Sequence, residues 1–321
     1  SAGHPIRFSV SGANPTAADV VVVTNAQGEA QFCYTGTRAG VDRIRAVADA
    51  NENGALDTTD QLVFGVATKV YKPGPPANLV LSPKTATNEV GEEHCVIATV
   101  TDRFGNPTPG VTVVFSVTGA VVVSGEEAQL GAGGTAKTNG GGEARFCYTS
   151  ELPGENVITA FADTNENGQQ DPGEPFDTAT KTYVLPTGTP FCDVAIHDGG
   201  WILTALGDRG SFGGNAKTDS GGKVVSGSQE YTDHGPVTSI HVKSTEILAV
   251  VCEGNRATIY GLARVDRAAL PYATGTFFFR VSVLDSGEPG RADTYDILVA
   301  NGYYTGEDQP LQGGNIQVRE G

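Results

Sequence analysis

The segment Asp163-Thr164-Asn165-Glu166-Asn167-Gly168-Gln169-Gln170-Asp171-Pro172-Gly173-Glu174 sets oxygen-bearing groups at positions 1, 3, 5, 7, 9 and 12 of a twelve-residue run, with glycine at position 6. A hard divalent cation such as calcium takes six or more oxygens. The glycine permits the reversal that turns them inward, and a terminal Glu can give two at once. Position 7, Gln169, would contribute its backbone carbonyl. A second run offers Asp49, Asn51, Asn53, Ala55, Asp57 and Asp60 around Gly54. Its last carboxylate is the shorter Asp60, so it is expected to bind more weakly or through water. The competing reading for both runs is a solvated turn of Asn, Asp and Gly. Neither is flanked by helical periodicity, so a calcium ion here would be a structural staple rather than the trigger of a helix-loop-helix sensor.

The second set of reactive groups is the cysteines: Cys33, Cys95, Cys147, Cys192 and Cys252. None forms a C-x-x-C pair, which argues against a zinc knuckle or a dithiol redox site. Single, well-separated cysteines inside alternating apolar runs read as cross-sheet disulfides in an oxidising compartment. A Cys95–Cys147 bridge would close a loop of about fifty residues, which chain entropy rates at roughly 4 kcal/mol. An odd count leaves one thiol over.

Catalytic signatures are absent. There is no G-x-S-x-G, H-E-x-x-H or phosphate-loop string, and His4, His94, His197, His234 and His241 lack ligand spacing. Asp233-His234 precedes Gly235-Pro236 and reads as a turn. Asp285, Glu288 and Asp293 could be paired as acid and base for glycoside cleavage, but DSGEPGRAD reads first as a turn. Trp201, Tyr303 and Tyr304 could stack on a sugar; a lone Trp beside two glycines is more often core. The sequence predicts no enzyme. With Lys+Arg 21 against Asp+Glu 37, the net charge of −16 argues against nucleic acid and anionic membranes. No apolar run approaches the ~20 residues of a spanning helix, so no membrane insertion is expected. The chain starts at Ser1 and contains no Met, which reads as a processed or trimmed product.

The elements that would carry these groups repeat. QFCYT from Gln31 matches RFCYT from Arg145, and Ala48–Gly54 matches Ala162–Gly168 at the same offset of 114. ATKVY ending at Tyr71 matches ATKTY ending at Tyr183, and Phe8-Ser9-Val10 matches Phe115-Ser116-Val117. In the longer copy NLVLS, CVIATV, VTVVFSV, EARFCYT and NVITAFA alternate in polarity between Gly, Pro, Asn and Asp clusters. That pattern reads as antiparallel strands of a β-sandwich.

The string DRFGNPTPGVTVVFSV (Asp102 to Val117), with EARFCYT and PGENVITA, resembles the bacterial immunoglobulin-like domain of the invasin and intimin type. The resemblance covers about Pro76 to Tyr183, and about Gly3 to Tyr71 in the shorter copy. It implies a non-catalytic spacer in a surface or secreted bacterial protein. The shorter copy lacks residues corresponding to Asn78 through Pro107, expected to be its first two strands and the partner of Cys33. An apolar groove beside Ile6, Phe8, Val10 and Phe32 is therefore expected. Two explanations stay open: the missing strands lie upstream in a parent protein, or a neighbouring chain donates them.

After Pro190 the runs TSIHV, ILAVV, ATIYGLARV, TFFFRVSVLD, TYDILVA and NIQV indicate a third all-β unit. GGWILTALGDRGSFGGNAK and DSGEPGRADTYDILV resemble the post-COAP C-terminal domain of secreted bacterial proteins. Cys192 and Cys252 are then the natural local pair, leaving Cys33 unpaired or intermolecular. PFCDVAIHD also resembles EHCVIATVTD, so Cys192 reaching Cys33 of another chain is a variant to test. The expectation is an all-β chain: a partial Ig-like sandwich (1–73), a complete one (74–186) and a C-terminal antiparallel, sandwich-like β domain (187–321). Its predicted role is an extracellular or cell-surface filament subunit, a homopolymer joined head to tail by strand complementation and stiffened by calcium and disulfides. The alternative is an adhesin or carbohydrate-binding accessory module recognising host or matrix glycans.

Overall fold

The computed structural model describes residues 2–48, 51, 53, 60, 63–119, 122–124, 127–129, 133–186, 192–236 and 239–320. It is all-β, and no α-helix occurs among the described residues. The alternation seen in the sequence is the reason. With a period of two, one set of side chains reaches a core while the other meets water.

In the first unit, β1 (Pro5–Gly12), β2 (Val20–Val23), β3 (Gly40–Ala48) and β4 (Phe64–Tyr71) form one sheet in the order β2-β1-β3-β4. The second unit contains β5 (Asn78–Ser82), β6 (Thr85–Glu89), β7 (His94–Thr101), β8 (Thr112–Gly119), β9 (Val122–Ser124) and β10 (Glu127–Gln129). It continues with β11 (Gly133–Lys137), β12 (Glu143–Tyr148), β13 (Gly154–Asp163) and β14 (Phe176–Val184). Its larger sheet runs β11-β8-β13-β14-β6, and the facing sheet runs β12-β7-β5. Leu79, Leu81, Val96, Ala98, Val100, Val113, Phe115, Val117 and Ile158 fill the space between them. The sheet of the first unit thus reproduces β11-β8-β13-β14. Gly12 and Gly119 mark the same place in each copy. Both have positive φ, +121° and +124°, and a Cβ on either would sit 2.2 Å from a carbonyl oxygen of the adjacent strand.

The C-terminal unit comprises β15 (Val194–Leu203), β16 (Arg209–Thr218), β17 (Val224–Asp233), β18 (Ile240–Glu253), β19 (Arg256–Ala268), β20 (Gly275–Leu284), β21 (Thr294–Val299) and β22 (Gln309–Glu320). These strands close in sequence order into one barrel, β22 pairing antiparallel with β15. The antiparallel expectation holds, but the sandwich-like expectation is corrected to a closed barrel. Alternating strands look the same in either architecture, and the long-range β15–β22 seam separates them. Glycine makes that seam possible: a Cβ on Gly200 would lie 2.4 Å from the Gly313 carbonyl. Ile196, Ile202, Phe212, Tyr231, Ile259, Val281, Tyr295 and Ile297 belong to the barrel's core.

The units touch through specific groups. Asn106 Oδ1 accepts from the Ala39 amide at 2.8 Å, and Asn106 Nδ2 donates to the Thr37 carbonyl at 2.8 Å. Asp102 receives the amides of Gly74, Phe104 and Asn106 and the Asn106 side chain. Burial alone would raise the Asp102 pKa, but those donors bring it down to about 2. Tyr260, Ala249 and Val251 of the barrel join the core of the second unit.

Candidate functional site

The open face of the first unit is best read against its complete sister. In the second unit Glu143–Tyr148 pairs antiparallel with His94–Thr99, and Cys147 stands directly opposite Cys95. Residues 29–34 are the counterpart of that strand, yet they form no strand ladder in the described structure. Their path is nonetheless fixed. Asn25 Oδ1 accepts from the amides of Gln27 and Glu29, as Asn139 Oδ1 does from Gly141 and Glu143. Phe32 stacks on Phe8 with ring centroids 5.1 Å apart, as Phe146 does on Phe115 at 5.1 Å. Tyr34 meets Tyr71 edge-on at 6.1 Å, as Tyr148 meets Tyr183 at 6.0 Å. The Tyr34 hydroxyl donates to Asp42 at 3.1 Å. Burial first, then this carboxylate, pushes the Tyr34 pKa up to about 12.

What differs is the cover. Val113, Phe115 and Val117 are 0, 1 and 1% exposed, whereas the equivalent Ile6 and Phe8 are only half-buried, with Val10 alone buried. Ala67 and Lys69 on β4 are exposed, whereas the corresponding Ala179 and Lys181 are buried. The counterparts of β5, β6 and β7 are all missing from the described first unit. Ile6, Phe8 and Phe32 are half-buried beside the buried Val10, and the covering strands without a counterpart are three rather than the expected two. The additional one is the counterpart of β6, which pairs parallel to β14 along its edge. A short parallel edge strand beginning at Thr85 carries little apolar alternation, so the sequence did not reveal it.

Four cysteines are bridged as expected. The Cys95–Cys147 bond joins neighbouring strands of one sheet, with Cα atoms 4.0 Å apart. It therefore does not cross between sheets, which corrects that expectation: the two side chains lie off the core-facing phase of their strands. Cys192 bonds Cys252, tying the lead-in of β15 to β18. This contradicts the variant in which Cys192 reaches another chain's Cys33, because its sulfur is already bonded to Cys252. Cys33 is free and exposed.

The loop from Asp163 to Glu174 is closed by its own amides. Asp163 accepts from the Asn167 and Gly168 backbones, and Glu174 Oε1 accepts from the Thr164 amide and hydroxyl. Asn165 and Asn167 both donate to Asp171 Oδ2 at 2.7 Å. Asp163 and Glu174 are buried at the two ends, while Asn165, Asn167 and Gln169 are exposed. The carboxylates are not gathered into a cluster of three within 4.8 Å; among the described residues only Glu93, Cys95 and Cys147 are, and two of those share a disulfide. The donor types suit calcium, and the loop's present bonds are those an ion would have to replace. In the first loop, Asp60 is buried and Asn51 Oδ1 accepts from the Asn53 amide. Asp49, Ala55 and Asp57 lie outside the described residues.

The acid pairs in the C-terminal unit serve the fold. Asp285 caps the amides of Gly287 and Val318, Asp293 those of Ser286 and Ile316, and Glu288 accepts from Asn315 and Gln317. These bonds clamp the turn onto β22. Asp233 accepts from Gly235 and Tyr303 while His234 faces Ser211, so the two are not a dyad. Tyr303 is buried and the Arg209 guanidinium sits 4.8 Å above the Trp201 ring, so no open aromatic platform forms from Trp201 and Tyr303.

Among the buried acids that sequence reasoning missed is Asp198. Asp198 points into the barrel in phase with Val194 and Ile196, and its Oδ2 accepts from Gln229 Nε2 at 2.8 Å. Among the described residues, Asp198 Oδ1, Gln229 Oε1 and the Tyr295 hydroxyl have no hydrogen-bond partner. Burial raises the Asp198 pKa to about 6, against the opposing bond from Gln229. The available signal was a charged residue on the inward phase of an apolar strand.

Comparison with known proteins finds similarity over part of the chain. Residues 77–172 match the family described as Bacterial Ig-like domain (group 1). Over 150 residues, 46% of this chain, the sequence is 31% identical to the inverse autotransporter adhesin YeeJ of Escherichia coli strain K12, and the match covers 6% of that protein's length. Two solved structures align at 12% identity. The crystal structure of invasin, a bacterial integrin-binding protein, gives a TM-score of 0.31 over 96% of this chain and 53% of its own. Domains 1–6 of the surface layer protein SbsC give 0.25 over 84% and 30%. The resemblance of the C-terminal unit to the post-COAP family has no counterpart in these matches.

Proposed function

We propose that the protein is a non-enzymatic adhesin-type component of the bacterial cell surface, in which Ig-like units carry a C-terminal β-barrel outside the cell. The observation that carries this reading is the Ig-like match over residues 77–172 together with the 31% identity to an adhesin. Two disulfides support an oxidising, extracytoplasmic setting. Its ligands would be host or matrix molecules, glycans among them. Beads coated with the chain should attach to host cells or matrix above beads coated with albumin; equal attachment overturns the reading.

The open first unit supports a finer version. A polypeptide neighbour supplies the covering strands, and adjacent subunits join head to tail into a filament. Main-chain ladder bonds would give affinity, and alternate apolar side chains would set register. A heterologous contact of this kind does not close, so it yields open polymers. Calcium in the Asp163–Glu174 loop would stiffen the array. Negative-stain imaging tests assembly: regular fibres support it, and dispersed single particles at high concentration refute it.

A further inference from the structure

We propose that the Cys95–Cys147 disulfide is a thiol-exchange site, at which a low-molecular-mass thiol adds to Cys147 and releases Cys95 as a thiolate. This goes beyond the adhesin reading and does not depend on it. The two disulfides of the chain differ in what surrounds them. Cys192 is 7% exposed and belongs to the barrel core, with Cys252 packed against the same cluster. Cys95 and Cys147 stand opposite each other on β7 and β12, in phase with the exposed Ile97 and Arg145. On the other phase Val96, Ala98, Ala144 and Tyr148 make the contacts to the core. A thiol therefore reaches this bond from solvent without opening the sandwich.

Two charged groups make the two sulfurs unequal. Arg145 Nη2 lies 2.9 Å from Cys95 Sγ, and Glu93 Oε2 lies 3.5 Å from the same sulfur. Exchange proceeds by attack of a thiolate on one sulfur and departure of the other, and the better-stabilised anion departs faster. When Cys147 is attacked, the guanidinium donates a charge-assisted hydrogen bond to the departing Cys95 sulfur. The Glu93 carboxylate repels a thiolate approaching Cys95. It also opposes charge on the departing sulfur, but from farther away than the guanidinium. Attack is thereby directed to Cys147.

The step needs no further electron acceptor. The thiolate sulfur forms a bond to Cys147 Sγ, the Cys95–Cys147 bond breaks, and its electron pair stays on Cys95. The incoming sulfur is oxidised to the disulfide level as Cys95 is reduced, and the proton lost from the thiol passes to water. β7 and β12 stay paired through their main-chain ladder, so the adduct sits on a folded unit.

The test uses the full chain carrying Cys33→Ser, so that the exposed free thiol takes no part. Reduced glutathione is the probe, and early samples are acid-quenched, alkylated and mapped by peptide mass. Cys95–Cys147 should open about tenfold faster than Cys192–Cys252, with glutathione on Cys147 favoured over Cys95 about fivefold. The opening rate should be flat in urea below the unfolding transition. Arg145→Ala should slow opening and abolish the preference for Cys147, and Arg145→Lys should keep part of both. Glu93→Gln should raise the share of adduct on Cys95. Equal opening of the two disulfides, adduct chiefly on Cys95, or a rate that climbs with urea in step with unfolding overturns the proposal. So does an Arg145→Ala variant indistinguishable from its parent.

Discussion

Replacing Asp198 with asparagine should stabilise the barrel at neutral pH and do much less in acid. The carboxyl is almost wholly removed from water, and its ionised form leaves Oδ1 and the facing Gln229 Oε1 without donors. A protonated carboxyl can donate to the amide oxygen while Oδ2 keeps the bond from Gln229 Nε2. A carboxamide in its place would offer the same pair of groups at every pH. The folded pKa of about 6 lies above the ordinary 3.8, so the stabilising contribution of the neutral acid is complete below pH 3.8 and is lost as pH rises through 6. Taking both values, ionisation costs the barrel about 1 kcal/mol at pH 4.5 and about 3 kcal/mol at pH 7.5. The advantage of Asp198→Asn should therefore grow by about 2 kcal/mol between those conditions. With a urea slope ordinary for a domain of this size, that is a widening of about 1 M in the midpoint difference. The chain has one Trp, Trp201 on β15, so its fluorescence reports unfolding of the barrel alone. His241, held between Glu230 and Asp266 with its pKa raised by both, adds its own pH dependence. Its effect is common to both proteins and cancels in the difference. A midpoint difference that is the same at pH 4.5 and 7.5 would refute the assignment of Asp198 as a buried neutral acid.

Three further outcomes are expected. If calcium binds the Asp163–Glu174 loop, the ion at one hundred times its Kd adds about 2.7 kcal/mol; excess chelator should then lower the melting of the second unit by about 10 °C, and Glu174→Gln should abolish the response in calorimetry. Asn106→Ala removes the acceptor of the Ala39 amide, so exchange at Ala39 should accelerate about tenfold while β3 amides stay protected, read by hydrogen-exchange NMR. Gly200→Val forces a side chain against the Gly313 carbonyl and should destabilise the barrel by at least about 2 kcal/mol in urea titration followed by Trp201, with the Cys95–Cys147 unit unaffected.

Local patterns carried most of the fold because they are written in adjacent residues. The 114-residue offset located the two related units, and the alternation in CVIATV, VTVVFSV and NVITAFA marked β7, β8 and β13. The cysteine pairs followed from their distribution among those units. Features that depend on distant partners were not legible. Thr85–Glu89 is a strand because β14 offers it an edge, and the barrel seam closes where Gly200 and Gly314 let the backbones of β15 and β22 approach. Asp198 was overlooked for the same reason: nothing near it in sequence announces Gln229, thirty-one residues on.

The repeat itself is the strongest physical argument about the open face. Two copies of one unit share their sheet order, their Asn-capped turn and their stacked aromatic column, so the intrinsic preferences of these residues suffice to build that half of a sandwich. They do not suffice to cover it. In the second unit Lys181 is fully buried and its Nζ lies 4.5 Å from the Tyr183 ring centre; its burial lowers its pKa. Lys69, at the same place in the first unit, lies 5.6 Å from the Tyr71 ring in solvent. Both lysines sit beside an aromatic ring, and only the covered one is desolvated. Covering strands laid against the first unit would therefore bury Lys69 while leaving Lys181 unchanged. Loss of labelling at Lys69 alone by an amine-reactive reagent would report closure of this face, and equal labelling in the covered and open states would refute it.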